Sequence, residues 1–275
     1  MISFMLKMRD FSVQCYRQLL ESIKNRSYCF KAFHEYIASP ISEKLIVLRH
    51  DVDKLPQNSL VIAKLENEIG IKGSYYFRTV PESWDENIIK EISDFGHEIG
   101  YHYENLSAMS KTRGVRSGAQ LFELAFDDFK KNLAKLRSLV PVTTICMHGS
   151  PRSKWDSRDL WKRYDYKSLG IIGEPYFDID FSKVFYLTDT GRRWDGYKVS
   201  VRDKIPKYQD RWEKEGLVFH STQDIINAAN AGRLPNQIMI TVHPQRWTDR
   251  PIPWAKELVW QGLKNQVKRF IAHRS

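Results

Sequence analysis

The sequence predicts an α/β fold in which about seven parallel strands close, or nearly close, into a barrel, in a single domain of 275 residues. Short runs of β-branched and aromatic residues alternate with helical patterns at intervals of roughly 25–30 residues, the signature of parallel βαβ units. Hydrophobic residues make up 42% of the chain, enough for one sizeable core. Most of the residues suited to chemistry fall where the apolar runs end, and in parallel α/β architectures strand C-termini form the active face. Residues 1–43 are expected to form a helix–strand extension packed on the barrel, and 44–275 the barrel itself, without linker, repeat or low-complexity stretch.

The first helical pattern carries Tyr16, Leu19, Leu20 and Ile23, breaks at Asn25-Arg-Ser27, and leads to a short strand around Tyr28 to Phe33. The most apolar strand runs from about Lys44 to Asp53. Pro56 opens a helix through Ile62, Leu65 and Ile69, closed by Gly70, as proline at the first turn and glycine past the last predict. Gly73 to Thr79 reads as the next strand, and Asp85 caps a helix that stops at Gly96. His97 to Glu104 is strand-like. A long amphipathic helix follows over about 118–139, then a strand over Val142 to His148. From Gly149 to about Arg202 the pattern is irregular. Gly216 to Ser221 and Gln237 to His243 read as two further strands, separated by a helix from Thr222 to Gly232. The last helix, from about Trp254, carries Leu258, Leu263, Val267 and Phe270.

The formal charge is +10. The Lys and Arg residues are dispersed among Asp and Glu rather than gathered into a stripe, which argues against nucleic acid and for a solvated basic surface suited to phosphorylated sugars or anionic lipid. Cys15, Cys29 and Cys146 are an odd set without framework spacing, so reduced thiols in a cytoplasmic protein are expected. The N-terminal MISFMLKMRD lacks the apolar core of a signal peptide, and no window approaches a membrane span.

Leu45-Ile-Val-Leu-Arg-His-Asp-Val-Asp53 carries the chemistry. On a strand, i and i+2 share a face, so Arg49, Asp51 and Asp53 point one way and His50 the other. Two carboxylates together at a buried strand end need a cation, a proton or an arginine; the bland alternative is an Asp-rich turn capping the next helix. Of eight histidines, four (His102, His148, His220 and His243) fall late in expected strands. One such histidine is ordinarily a hydrogen-bonded core residue; several of them with two aspartates favour a metal site. His97 and His102, five apart, project to opposite faces, and His97 is assigned to backbone bonding or the outside of the sheet.

The order RHDVD (49–53), GHEIGYH (96–102), MHGSP (147–151) and ITVHP (240–244) resembles the motifs of polysaccharide deacetylases, carbohydrate esterase family 4 and its relatives, over about Lys44 to Trp247. The resemblance implies that this is a deformed (β/α) barrel, catalytic and holding a divalent metal, usually zinc, that hydrolyses N-acetyl groups on sugars. It makes Asp51 the catalytic base, Asp53 and His102 metal ligands and His243 the general acid. Two departures stand out. The family's second metal histidine lies four residues after the first, where this chain has Leu106; and the arginine that usually precedes the loop proline, here Pro151, is missing. His148 is the candidate replacement ligand, with His97, Glu104, His220 or a dead metal site as alternatives. Arg49, on the face of Asp51, could take the role of the missing arginine or form an ordinary salt bridge.

The segment Leu187 to Val199 gathers Asp189, Arg192, Arg193, Trp194 and Asp195, either a sugar-gripping surface or a solvated charged hairpin. With Arg49 and Arg246, the residues Asp189, Arg193 and Trp194 are the expected substrate-binding set. Tyr75, Tyr76, Phe77, Tyr101 and Tyr103 are assigned to packing. The expected substrate is an N-acetylated sugar in a polysaccharide, oligosaccharide or glycoconjugate precursor, phosphorylated or lipid-linked forms included. The competing readings are hydrolysis of another non-peptide C–N bond, and a carbohydrate-binding protein that has lost catalysis.

Overall fold

Strand β2 (Leu45–Val52) is buried along its whole length, and the sheet is assembled around it. In the computed structural model, which describes residues 9–39, 43–111, 118–149, 153–195, 197, 200 and 202–272, helix α1 (Val13–Lys24) leads to strand β1 (Cys29–Lys31) and helix α2 (Phe33–Ala38). After β2 come α3 (Pro56–Glu68), β3 (Ser74–Phe77), α4 (Glu86–Asp94), β4 (Glu98–Tyr103), α5 (Asn105–Met109), α6 (Gly118–Arg137) and β5 (Ile145–Met147). The chain then runs through α7 (Pro175–Asp178), β6 (Phe185–Thr188), α8 (Pro206–Lys214), α9 (Thr222–Asn230), β7 (Gln237–Val242) and α10 (Pro251–Ala272). Pro151 and Val199 lie outside the described residues, as do the side chains of Val267 and Phe270.

All strand pairings are parallel, in the order β5-β4-β3-β2-β7-β6, with β1 beside β2. The sheet curls into an open α/β barrel flanked by helices, as expected. β2 divides one edge between two neighbours: Leu45 to Val47 pair with β1 and Arg49 to Val52 with β3, while β7 runs along the other edge. The first segment of the chain is therefore stitched into the sheet at the base of its central strand.

The strand expected at Gly216 to Ser221 is corrected. That segment is a turn and loop entering α9, where Ser221 is the N-cap, accepts from the Asp224 amide and receives the Asp224 carboxylate on its own N–H. A capping box claims these residues before a ladder can. The strand before β7 is β6 instead, drawn from the irregular region because Phe185 to Thr188 find a partner in β7. The five aromatics assigned to packing are all buried. At Gly100 a Cβ would lie 2.3 Å from the Tyr76 ring, so the space beside His102 is filled by that ring.

The reverse face of β2 is pinned by a buried polar cluster. His50 sets Nδ1 against the Ser74 carbonyl (3.1 Å) and Nε2 against Glu66 Oε1 (2.8 Å), and its ring stacks on Tyr75 at 3.9 Å. Glu66 also accepts from the hydroxyls of Tyr16 (2.5 Å) and Tyr75 (2.7 Å). Burial alone would raise its carboxyl, but His50, His97 and Tyr16 hold it below the ordinary value. His97 is engaged with backbone on this side, through the Ala63 carbonyl and the Gly73 amide. Glu66→Ala should cost about 3–5 kcal/mol of stability, because it leaves buried donors without an acceptor; urea unfolding measures it, and a loss within about 0.5 kcal/mol, the level of a neutral surface change, would contradict the role.

Candidate metal and acid–base site

Asp51 and Asp53 leave the C-terminal end of β2 on one face, but they meet different partners. Arg49, fully buried two residues earlier, forks onto Asp51 through Nε to Oδ1 (2.7 Å) and Nη2 to Oδ2 (2.5 Å). Burial alone would raise the Asp51 carboxyl; Arg49 and His102 outweigh it and hold it below the ordinary carboxylate value. Arg49 Nη2 also meets the Tyr176 hydroxyl at 3.4 Å, which in turn donates to Asp203 at 3.0 Å. Asp203 receives further hydroxyls from Tyr186, Thr188 (2.8 Å) and Thr190. Against its burial, the charges of His243 and Arg49 and these hydroxyls hold its carboxyl at about 2.

Asp53 faces the histidines. Its Oδ1 is buried without a hydrogen-bond partner, 3.5 Å from His102 Nε2 and 3.3 Å from His148 Nε2, while Oδ2 accepts from Gln245 Nε2 at 3.0 Å. The other ring nitrogens fix the tautomers. His102 Nδ1 lies 3.0 Å from the Cys146 carbonyl and His148 Nδ1 3.2 Å from Glu104 Oε2, so each Nδ1 is the donor. Two imidazole lone pairs and a carboxylate oxygen thus converge, which is repulsive unless protons or a cation stand between them. His148 and Arg78 hold the Glu104 carboxyl at about 2 in spite of burial. Arg78 ties the ends of three strands together, with Nη1 on the Asp53 carbonyl (3.0 Å) and Nε on Glu104 (2.8 Å).

These donors suit a divalent metal: two nitrogens and one oxygen within 4.8 Å of one another, each oriented by an outer partner. A second grouping, Asp51, His102 and Cys146, meets the same distance test. It fits less well, because both Asp51 oxygens are held by Arg49 and burial pushes the Cys146 thiol up, away from the thiolate a metal needs. Leu106, at the position of the missing histidine, is a fully buried core residue of α5. His148 reaches the site from the end of β5, across β4, and faces Asp53 alongside His102.

His243 follows β7, whose Thr241 and Val242 pair with Arg49 and His50, and so stands beside Asp51. Its Nδ1 donates to Asp189 Oδ1 at 2.6 Å, which leaves Nε2 for the pocket. Asp189, at the end of β6, accepts as well from Arg246 Nη1 (2.6 Å), Trp247 Nε1 (2.8 Å) and the His243 amide. Burial and Arg246 would lower the His243 imidazolium, but Asp189 outweighs them and its pKa is raised.

The expected sugar-binding set is placed differently. Asp189 and Arg246 are buried and support His243, and Arg49 supports Asp51. Trp194 is buried against Phe11 and Trp247 with Nε1 on the Thr222 hydroxyl (2.9 Å), so it is core and not a platform. Arg193 forks onto Asp195, which also meets the exposed His220 ring at 3.1 Å. Charged groups buried at a strand end must pair with one another, and this pairing overrides the reading as a free binding surface. Gln245, Arg78, Tyr176 and Asp203 join the site without having stood out in the sequence. The run HPQRW following the last strand was the one signal that could have pointed to Gln245.

No family model matches this chain, and no curated protein matches it. Among solved structures, a deacetylase from Streptococcus pyogenes in complex with acetate is similar at 14% identity over 61% of this chain and 76% of its own, with a TM-score of 0.43. A Streptococcus mutans CE4 esterase shares 10% identity over 89% of each chain, TM-score 0.42. A CE4 family pseudoenzyme from Bacillus anthracis shares 12% over 82% of this chain and 62% of its own, TM-score 0.40. Structures of this carbohydrate esterase family recur among the neighbours, at low identity. At that distance the chemistry has to be read from the side chains themselves.

If Asp53, His102 and His148 form one cation site, His148→Ala and Asp53→Asn should each weaken zinc binding by at least about tenfold, the scale of losing a ligand or its outer partner. Leu106→Ala should leave it within about twofold, well inside that scale. Isothermal titration with zinc checks all three, and unchanged affinity in His148→Ala would remove that residue from the set.

Proposed function

We propose that this chain is a metal-dependent hydrolase that removes N-acetyl groups from a sugar. The single observation that supports it most is the buried, partnerless Asp53 Oδ1 facing two imidazole Nε2 atoms, with an arginine-held carboxylate on one side and a carboxylate-held imidazole on the other. A bound divalent metal, zinc as the expected ion, would polarise the acetamide carbonyl and make water acidic.

The residues of the chain supply the rest. Asp51, kept ionised by Arg49, takes the proton of a water whose oxygen bonds to the acetamide carbon. The Arg49 fork fixes the direction of the carboxylate, and the Tyr176–Asp203 pair behind it keeps the guanidinium in place. The C–N bond then breaks. An amine leaves an acyl carbon poorly unless it is protonated as it departs, and His243 Nε2 is the group beside Asp51 able to supply that proton. Asp189 holds the ring in the orientation that presents Nε2 and favours its protonated form. The products are acetate and the free amino sugar; solvent takes the proton from Asp51 and returns one to His243.

Acetate release from a panel of N-acetylated mono-, oligo-, nucleotide- and lipid-linked sugars, with zinc added, tests the proposal. Turnover on at least one of them is expected, and none on any of them by a zinc-loaded protein would refute it. Asp51→Asn should lower kcat by about 10²–10⁴-fold, the usual contribution of a positioned base, while zinc binding is kept. Asp189→Asn tests the acid through pH. The His243 pKa is raised in the intact protein, so activity should persist below that value and fall as pH rises through it. Without the Asp189 charge that alkaline limb should move to lower pH; an unmoved limb would exclude His243 as the acid.

A further inference from the structure

Helix α10 packs on the body through a mostly polar face and turns aliphatic side chains outward. On its inner face Trp254 Nε1 donates to the Asp10 carbonyl at 2.8 Å, Gln261 is 5% exposed and donates to Asn265, Asn265 donates to the Gly191 carbonyl at 2.8 Å, and Glu257 meets Lys54 at 3.4 Å. Its outer face is apolar. Ile252 is 71% exposed, Val259 64% and Leu263 53%, spaced so that seven and then four residues bring each onto one stripe. Trp260, 52% exposed, borders that stripe. With Leu258, exposed but off the stripe, half of the large hydrophobic residues that the described chain leaves exposed belong to this one helix. Lys256 lies within the stripe, four residues after Ile252; isolated exposed aliphatics are ordinary, but several gathered on one helix face mark a surface that something covers.

We propose that α10 lies flat on an anionic lipid surface, with Ile252, Val259 and Leu263 in the acyl boundary. Charge complementarity selects that occupant. The chain carries a formal charge of +10, and Arg250, Lys256 and Lys264 are exposed on or beside the helix. An apolar stripe bordered by tryptophan and flanked by lysines is the composition of an interfacial helix. A second copy of the chain is the poorer occupant, since pairing two such helices would bring lysines of like charge together across the contact. No helix among the described residues is long and apolar enough to cross a membrane, so the contact is with a surface.

The placement has a consequence for the site. Lys54 follows Asp53 directly in the chain and is the residue that pairs with Glu257, so α10 runs along the rim of the carboxylate–histidine pocket. A chain seated by α10 would present that rim to the headgroup layer and take substrate anchored there. Surface binding itself is read without turnover, and its failure and that of the hydrolase proposal are separate results.

Co-sedimentation of the full chain with vesicles of phosphatidylglycerol mixed with phosphatidylcholine, and of phosphatidylcholine alone, tests the proposal. Binding to the anionic vesicles is expected, falling as salt rises and lower on neutral ones. The double substitution Val259→Glu and Leu263→Glu should weaken it by about tenfold or more, because two aliphatic side chains are withdrawn from the boundary and two negative charges are added. Both positions are exposed, so the thermal melting curve should be unchanged. Absence of binding to anionic vesicles, or equal binding by the double variant, would overturn the proposal. So would a dimer seen by sedimentation velocity that the same substitutions dissociate, since the stripe would then be covered by a second copy.

Discussion

The site depends on one electrostatic constraint: carboxylates that share a face at the end of a buried strand cannot be left without counter-charge. Asp51 is answered from its own strand by Arg49, which keeps it ionised and aimed. Asp53, two residues on, has no such answer within the protein: His102 and His148, each turned by a separate acceptor, aim a free nitrogen at the same oxygen, and the three atoms call for a proton or a cation between them. Asp189 is answered by His243 and Arg246 at the end of another strand. Burial makes each unpaired charge expensive, and it is this expense that draws side chains from five strands into one pocket.

Much of this was legible in the sequence, for reasons that differ by residue. Strand periodicity alone puts Arg49, Asp51 and Asp53 on one face and turns His50 away, because a buried strand alternates strictly. His102, His148 and His243 are recognisable as strand-end residues, and the structure brings all three to the carboxylates. Invisible in advance were the partnerships. Glu104 turning His148, Gln245 meeting Asp53, and Asp203 collecting four hydroxyls all join residues far apart in the chain. Asp189, Trp194 and Arg246 read as a sugar surface by composition, whereas pairing and packing take them inward. The error at residues 216–221 has the same origin: apolar content suggested a strand, and a local capping box outweighed it.

Leu106 stands four residues after His102, and the structure sets His148 rather than that residue against Asp53. A histidine four residues after His102 would have to come from α5, a short helix whose Leu106 is packed in the core. The end of β5 offers another approach, from which His148 Nε2 comes within 3.3 Å of Asp53 Oδ1. Arg49 likewise holds Asp51 from within its own strand. Both groups are thus delivered by strands of the sheet, which favours fixed geometry.

The polar cluster behind β2 has a meaning for how the strand finds its place. A displacement by one residue would swing His50 into the pocket and drive Asp51 against Glu66, so that two like charges would meet out of reach of water. Hydrophobic alternation is a weak guide here, since β2 is buried on both sides and aliphatic on both. The threading of the central strand is therefore proofread by its reverse side: acid behind and base between reject every alignment but the one that leaves both aspartates facing the histidines.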